Sequence, residues 1–186
     1  MANLKHIQSQ IKSVSSIQKV TKAMKMVAAA KLKRAQERME QARPYSEKLE
    51  GLISNLLLDA DPNILPLLNK RGDINKHALL VITSDRGLAG SFNSNIIKKV
   101  EEEVVKKGKE NVLLICIGKK CYEYFTNRNY KVDYSYAKTW DNLNYNQAIE
   151  IGRNLVKSYL NKEFDTLDII YNFFKSAATQ EVVYNQ

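Results

Sequence analysis

Ala78-Leu79-Leu80-Val81-Ile82-Thr83, followed at once by Ser84-Asp85-Arg86-Gly87-Leu88-Ala89-Gly90-Ser91-Phe92-Asn93, is the stretch on which the fold turns. Its first six residues are a short aliphatic run bounded by turn signals, which predicts a buried strand at Ala78–Thr83. Ser84–Gly90 carries two glycines and reads as a turn. Phe92–Lys107 then spaces its apolar residues by threes and fours, so the unit is strand, turn and amphipathic helix.

The same alternation continues towards the C-terminus. Val112–Ile117 reads as a strand, Lys119–Arg128 as a helix, Lys131–Tyr136 as a weaker strand, Tyr145–Lys162 as a helix and Leu167–Phe174 as a strand. Gln186 falls inside what reads as a further strand or turn. Strands alternating with helices predict an α/β, Rossmann-like domain over residues 77–186, with a mainly parallel sheet covered on both faces. Residues 59–76 hold two prolines and a glycine and read as a linker.

Towards the N-terminus, residues 1–58 read as one long basic helix. Leu4, Ile7, Ile11, Val14, Ile17, Val20, Met24 and Val27 repeat at helical spacing. The spacing drifts around Ile17, which would alter the local supercoil rather than sustain one uniform coiled coil. Alanines 23, 28, 29, 30 and 35 favour helix and let a neighbour approach closely. Pro44 could end or kink this rod, although Tyr45–Leu58 resumes the apolar pattern. Such a stripe is not stable uncovered, and these 186 residues contain no second helix of matching length. Another chain, or sequence beyond these residues, is expected to cover it.

Charge is concentrated in the same place. Residues 1–43 hold ten Lys/Arg against Glu37 and Glu40, whereas the remaining 143 residues hold 19 bases and 18 acids. The net charge of +9 implies acidic partners, and its confinement to one helix implies an elongated contact. No run of about 18 apolar residues, the length needed to span a bilayer, is present. The N-terminus has neither the apolar core of a signal peptide nor the character of a transit peptide. Two cysteines, Cys116 and Cys121, point to a reducing compartment and to buried core thiols without chemistry.

A catalytic site is hard to assemble. The Ser84–Gly90 loop occupies the place where doubly wound sheets bind phosphates, but it is neither a P-loop nor G-x-G-x-x-G. The simpler reading gives its glycines backbone freedom and Ser91 or Asn93 the role of helix cap. The alternative is a nucleotide- or anion-binding module built on Ser84, Asp85, Arg86, Gly87, Gly90 and Asn93. His6 and His77 lack ligand-spaced partners, so no metal and no cofactor is expected. Glu101-Glu102-Glu103 reads as a solvated face, and two histidines do not furnish a Ser/His/Asp arrangement. Catalytic residues are therefore expected to be absent. The ten tyrosines lie mainly in the C-terminal half, off the basic helix, which argues against nucleic acid as a partner.

Two stretches, Ile11-Lys12-Ser13-Val14 through Thr21-Lys22-Ala23-Met24-Lys25-Met26-Val27-Ala28-Ala29-Ala30-Lys31 to Ala42-Arg43-Pro44-Tyr45, and Thr83 through Asn93, together resemble the gamma subunit of F-type ATP synthases of bacterial type. The resemblance spans the whole chain. It implies a central-stalk rotor whose N-terminal helix is one half of an antiparallel coiled coil inside the ring of alpha and beta subunits. The α/β domain would sit near the epsilon subunit and the c-ring, on the cytoplasmic face of the cell membrane, as a peripheral part of the complex. Proton-driven rotation would be coupled to ATP synthesis or hydrolysis on the beta subunits, which makes this chain non-catalytic. The family's second shaft helix is missing from these residues, so the chain is expected to be a truncated form. Lys22, Met24, Lys25, Met26, Lys31, Lys33 and Arg34 are the candidates for contacts with the surrounding ring. Ala89 stands where many relatives carry cysteine, and the chloroplast regulatory insertion is missing, so no redox switching carries over.

Overall fold

The computed structural model describes residues 4–58, 61, 66–68, 71–137, 140, 144–176 and 179–186. The chain divides into two compact units, Met1–Ile64 and Leu65–Gln186.

The first unit is helix α1, Leu4–Leu58, of 55 residues, about 82 Å at a 1.5 Å rise. None of its residues is buried, and Leu4, Ile11, Val14, Ile17 and Met24 are each more than 60% exposed. Pro44 lies inside the helix and does not end it. A proline there costs one backbone hydrogen bond and a clash with the preceding turn. The resumed apolar spacing of Tyr45, Leu49, Leu52, Ile53 and Leu56 still favours helix. Ser16, Thr21 and Ser54 donate to the carbonyls of Lys12, Ile17 and Glu50 at 3.0, 2.8 and 2.9 Å, satisfying their hydroxyls within the helix.

The second unit runs β1 (His77–Ile82), α2 (Phe92–Lys107), β2 (Val112–Ile117), α3 (Lys119–Thr126), β3 (Val132–Tyr136), α4 (Tyr145–Leu160), β4 (Thr166–Phe174) and β5 (Gln180–Asn185). The sheet order is β3-β2-β1-β4-β5, with four parallel strands and β5 antiparallel to β4. Side chains alternate between faces. Leu79, Val81, Leu114, Cys116 and Ile170 meet Ile96, Val100 and Val104 of α2 and Cys121 and Phe125 of α3. Ala78, Leu80, Ile115 and Ile117 meet Phe164 and the inner row of α4, Ile151, Leu155 and Tyr159. Central parallel strands buried on both faces explain why β1 and β2 read as unbroken apolar runs.

Two helices end earlier than their periodicity predicts. α3 stops at Thr126 because Asn129 turns left-handed (φ 58°) and Tyr130 N–H returns to the Phe125 carbonyl at 3.0 Å. α4 stops at Leu160 because Lys162 does the same (φ 60°), and Glu163 N–H reaches the Ser158 carbonyl at 3.0 Å. Both are left-handed helix stops without the glycine that usually signals them.

Part of the segment read as a linker falls outside the described residues, but residues 71–76 are tied to the α/β unit. Arg71 donates to the Phe164 carbonyl at 2.7 Å, to Asp165 Oδ1 at 2.8 Å and to the Tyr159 carbonyl, and stacks 4.1 Å over the Tyr159 ring. Asp165 Oδ2 accepts from the backbone N–H groups of Asn75 and Lys76 at 3.0 and 2.9 Å. Arg71, and then those two amides, hold the Asp165 carboxyl at about 2, below its ordinary 3.8. A carboxyl whose folded value is depressed contributes stability above its unfolded value, and that contribution is lost as pH falls through the folded value. Asp165→Asn is therefore expected to be less stable than the parent by an amount constant above about pH 4, with the gap closing by about pH 2. Urea unfolding across that range measures it, and a gap independent of pH would refute the assignment.

Candidate functional site

The loop after β1 is a closed structural joint. Asn93 Oδ1 accepts from Ser84 N–H at 3.1 Å, Asn93 Nδ2 donates to Ser84 Oγ at 3.0 Å, and Ser84 Oγ donates to the Arg86 carbonyl at 2.6 Å. Asp85 Oδ1 accepts from Lys119 N–H at 2.8 Å, and the Ser84 carbonyl accepts from Lys120 N–H at 3.1 Å. The loop thus supplies the N-terminal cap of α3, placing a carboxylate at the positive end of that helix. Ser91 does occupy the N-cap position of α2, but its backbone (φ −83°, ψ 3°) is not extended and its side chain forms no cap bond. Asn93 likewise does not cap α2, because its amide is committed to Ser84. Left-handed backbone falls at Leu88 (φ 61°) and Gly90 (φ 56°), so of the loop's two glycines only Gly90 needs its freedom.

Thr83 is the hub that the sequence reading missed. Its N–H reaches the Ile117 carbonyl at 2.9 Å, its Oγ1 accepts from Cys121 N–H at 3.0 Å, and its carbonyl accepts from Trp140 Nε1 at 2.8 Å. Gly118 presses against that same carbonyl with φ 99°. A glycine between an apolar strand and a helix start was the available signal.

A groove of about 730 Å³ opens beside the loop, between α2 and α3, from Gly90 and Asn93 to Tyr124 and Arg128. Its charges are mostly met locally. Glu123 pairs with Lys119 and Lys120 at 3.3 and 2.9 Å, Tyr124 donates to Glu101 at 3.0 Å, and Arg128 stacks 3.7 Å over Tyr124. The two lysines hold the Glu123 carboxyl below its ordinary value. Among the described residues no group of three or more His, Cys, Asp or Glu could hold a metal ion, and Cys116 and Cys121 are free and buried in the core.

The other candidates all lie on α1, and all are exposed. They do not share one face. At 3.6 residues per turn, Lys22, Lys25, Met26 and Lys33 form one row, with Ala29 between them. Met24 and Lys31 fall on the opposite side, in line with Val20 and Val27, and Arg34 lies between the two rows. Lys33 also sits 3.9 Å from Glu37, an exposed pair of little energetic weight.

The family model described as ATP synthase matches residues 3–186. The ATP synthase gamma chain of Chlorobaculum tepidum is 45% identical over 181 residues, covering 95% of this chain and 62% of that protein. The gamma chain of Geotalea daltonii is 42% identical over 188 residues, covering 100% of this chain and 65% of that protein. The chain therefore spans a little under two thirds of the length of these curated relatives. Among solved structures, the central stalk and c-ring of Tetrahymena thermophila mitochondrial ATP synthase matches with a TM-score of 0.73 at 27% identity, over 89% of this chain and 70% of that one. The rotor of Euglena gracilis mitochondrial ATP synthase shares the fold, with a TM-score of 0.57 at 15% identity, over 96% of this chain and 60% of that one. The long basic helix and the Thr83–Asn93 joint thus belong to one known architecture, and the chain is a member of the ATP synthase gamma-chain family.

Proposed function

We propose that this chain works as the central-stalk rotor of a proton-translocating ATP synthase. It would couple rotation of the membrane c-ring to ATP synthesis or hydrolysis on the alpha and beta subunits, without a catalytic site of its own. The single observation that carries the reading is α1 itself: 55 residues of helix, none of them buried, in which Lys22, Lys25 and Lys33 share one row while Val20, Met24 and Val27 share another. The apolar row suits pairing with a second shaft helix, which gives the stiffness that torque transmission needs. The row Lys22, Lys25, Met26 and Lys33 suits the interior of the alpha–beta ring. Exposed cations facing acidic loops attract at long range with loose geometry, at about 0–1 kcal/mol per pair, so no orientation becomes a deep trap. The α/β unit would face epsilon and the c-ring. No helix among the described residues is long and apolar enough to cross a membrane, consistent with a peripheral position, which we assign to the cytoplasmic face of a bacterial membrane.

Reconstitution tests this. The chain, extended by the part of the Chlorobaculum tepidum gamma chain that it does not match, is mixed with alpha and beta subunits. The expected result is a complex whose ATP hydrolysis depends on the added chain. Reversing Lys22, Lys25 and Lys33 to Glu is expected to lower that activity without unfolding an exposed helix face. Failure of the extended chain to associate with the ring would overturn the rotor reading.

A further inference from the structure

Helix α4 carries a second apolar row in addition to the one that packs on the sheet. Tyr145, Ile149, Val156 and Leu160 lie roughly a third of a turn round the helix from Ile151, Leu155 and Tyr159. Tyr145 is 68%, Val156 39% and Leu160 48% exposed. Gly152 interrupts the row between Ile149 and Val156, and a Cβ placed there would meet no atom within 4 Å. The result is a shallow, apolar groove of about 510 Å³ with a notch at its centre. Arg153 and Lys157 run along its outer border, both exposed and without an ion pair among the described residues. Glu150 is the only acid on the helix and lies beyond them. A contiguous apolar surface with a polar rim is the usual mark of an interaction site.

The chemistry of the row selects its occupant. It is straight, and α4 is about 24 Å long for its 16 residues, which suits another helix laid alongside. A missing side chain between two large ones receives a ridge from such a helix. The exposed cations, of which Lys157 acts on the Glu163 carboxyl without an ion pair, favour carboxylates beside that ridge. A second copy of this chain fits poorly, since a two-fold pairing would set Arg153 and Lys157 near their own counterparts in a chain of net charge +9. We infer that this flank of α4 docks an amphipathic helix of another protein chain, seating one large apolar side chain in the Gly152 notch and presenting carboxylates to Arg153 and Lys157. The inference rests on the central-stalk reading, which supplies the neighbouring chains.

Two variants test it without touching the core. Gly152→Leu fills the notch at a helical position with open space around it, and leucine favours helix more than glycine does. The pair Arg153→Glu and Lys157→Glu reverses the border. The parent chain and both variants, checked for unchanged circular dichroism, are titrated separately with purified alpha, beta and epsilon subunits and with phosphatidylglycerol vesicles, and their mass in solution is recorded. The expected result is that the parent binds one subunit, and that each variant weakens that binding by about tenfold or more. Subunit binding that neither variant weakens overturns the α4 site and leaves the stalk reading standing. Binding of the parent to no subunit at all overturns the α4 site, and the stalk reading falls with it only if the extended chain also fails to associate with the ring. Loss confined to vesicle binding or to self-association assigns the flank to a membrane or a second copy, and likewise overturns the proposal.

Discussion

Gly118→Ala is expected to be among the most damaging single substitutions in the α/β unit, costing about 3–5 kcal/mol of a stability on the order of 5–15 kcal/mol. Two independent effects combine at this position. Gly118 has φ 99° and ψ 149°, a conformation that side-chain-bearing residues rarely adopt. A Cβ would also lie 2.2 Å from the Thr83 carbonyl oxygen, 2.8 Å from its carbon and 3.0 Å from its Oγ1. The obstruction is backbone, so no rotamer change relieves it. Either β1 and β2 separate at their ends, or the Gly118 turn rotates and loses its bond from N–H to the Tyr136 carbonyl at 3.0 Å. Both routes disturb Thr83, which also receives the Trp140 indole. Trp140 is the chain's single tryptophan, so its fluorescence reports on this corner. Urea unfolding followed at Trp140 should show a large drop in midpoint, and Gly152→Ala, in open space on α4, should show none. Equal behaviour of the two alanine variants would refute the argument.

Local periodicity carried most of this fold. The bounds of α2 and β2 follow from residue spacing and from turn residues beside them, because those elements are decided by their own burial. α1 could be followed through Pro44 because apolar residues resume in register beyond it. What could not be read depends on partners far away in sequence. Arg71 looks like a linker residue until residues 159, 164 and 165 come round to meet it. Asn93 looks like a helix cap, yet Ser84, nine residues earlier, takes its side chain. β5 has too short and mixed a pattern to name its direction, which is set by antiparallel pairing with β4. The α1 candidates were legible as a group, but their division into two rows emerges only when helical angle is counted residue by residue. The α4 flank was hidden for a different reason. Its two apolar rows merge into one broad amphipathic pattern, and only the packed structure separates the row on the sheet from the row left outside.

Lys107→Met is expected to cost about 3–5 kcal/mol, more than an exposed helix-end lysine could account for. The cause is Asp168, a carboxylate only 1% exposed in β4, on the face covered by α2. Lys107 Nζ stands 3.2 Å from Asp168 Oδ2, and this ion pair, rather than a well-aligned hydrogen bond, meets the buried charge. Burial pulls the Lys107 ammonium down, but the Asp168 carboxylate beside it outweighs that and leaves its value above the ordinary one. His77 responds in the opposite sense. Burial first, and then the Lys107 charge, lower it, so near neutrality its Nδ1 lies 2.8 Å from Thr166 Oγ1 as an uncharged ring. Burial and the Asp168 charge raise the neighbouring Tyr184 hydroxyl on β5. One cation therefore balances a cluster that joins the end of α2 to β1, β4 and β5. Removing Lys107 alone strands a carboxylate in a dry site. Removing both charges in Lys107→Met with Asp168→Leu strands nothing, and is expected to recover most of the loss, since apolar replacement of a buried pair is often neutral. The comparison is a double-mutant cycle read by urea unfolding at pH 7. If the single and double variants were equally unstable, the pair would be acting through packing alone and the electrostatic account of this cluster would be wrong.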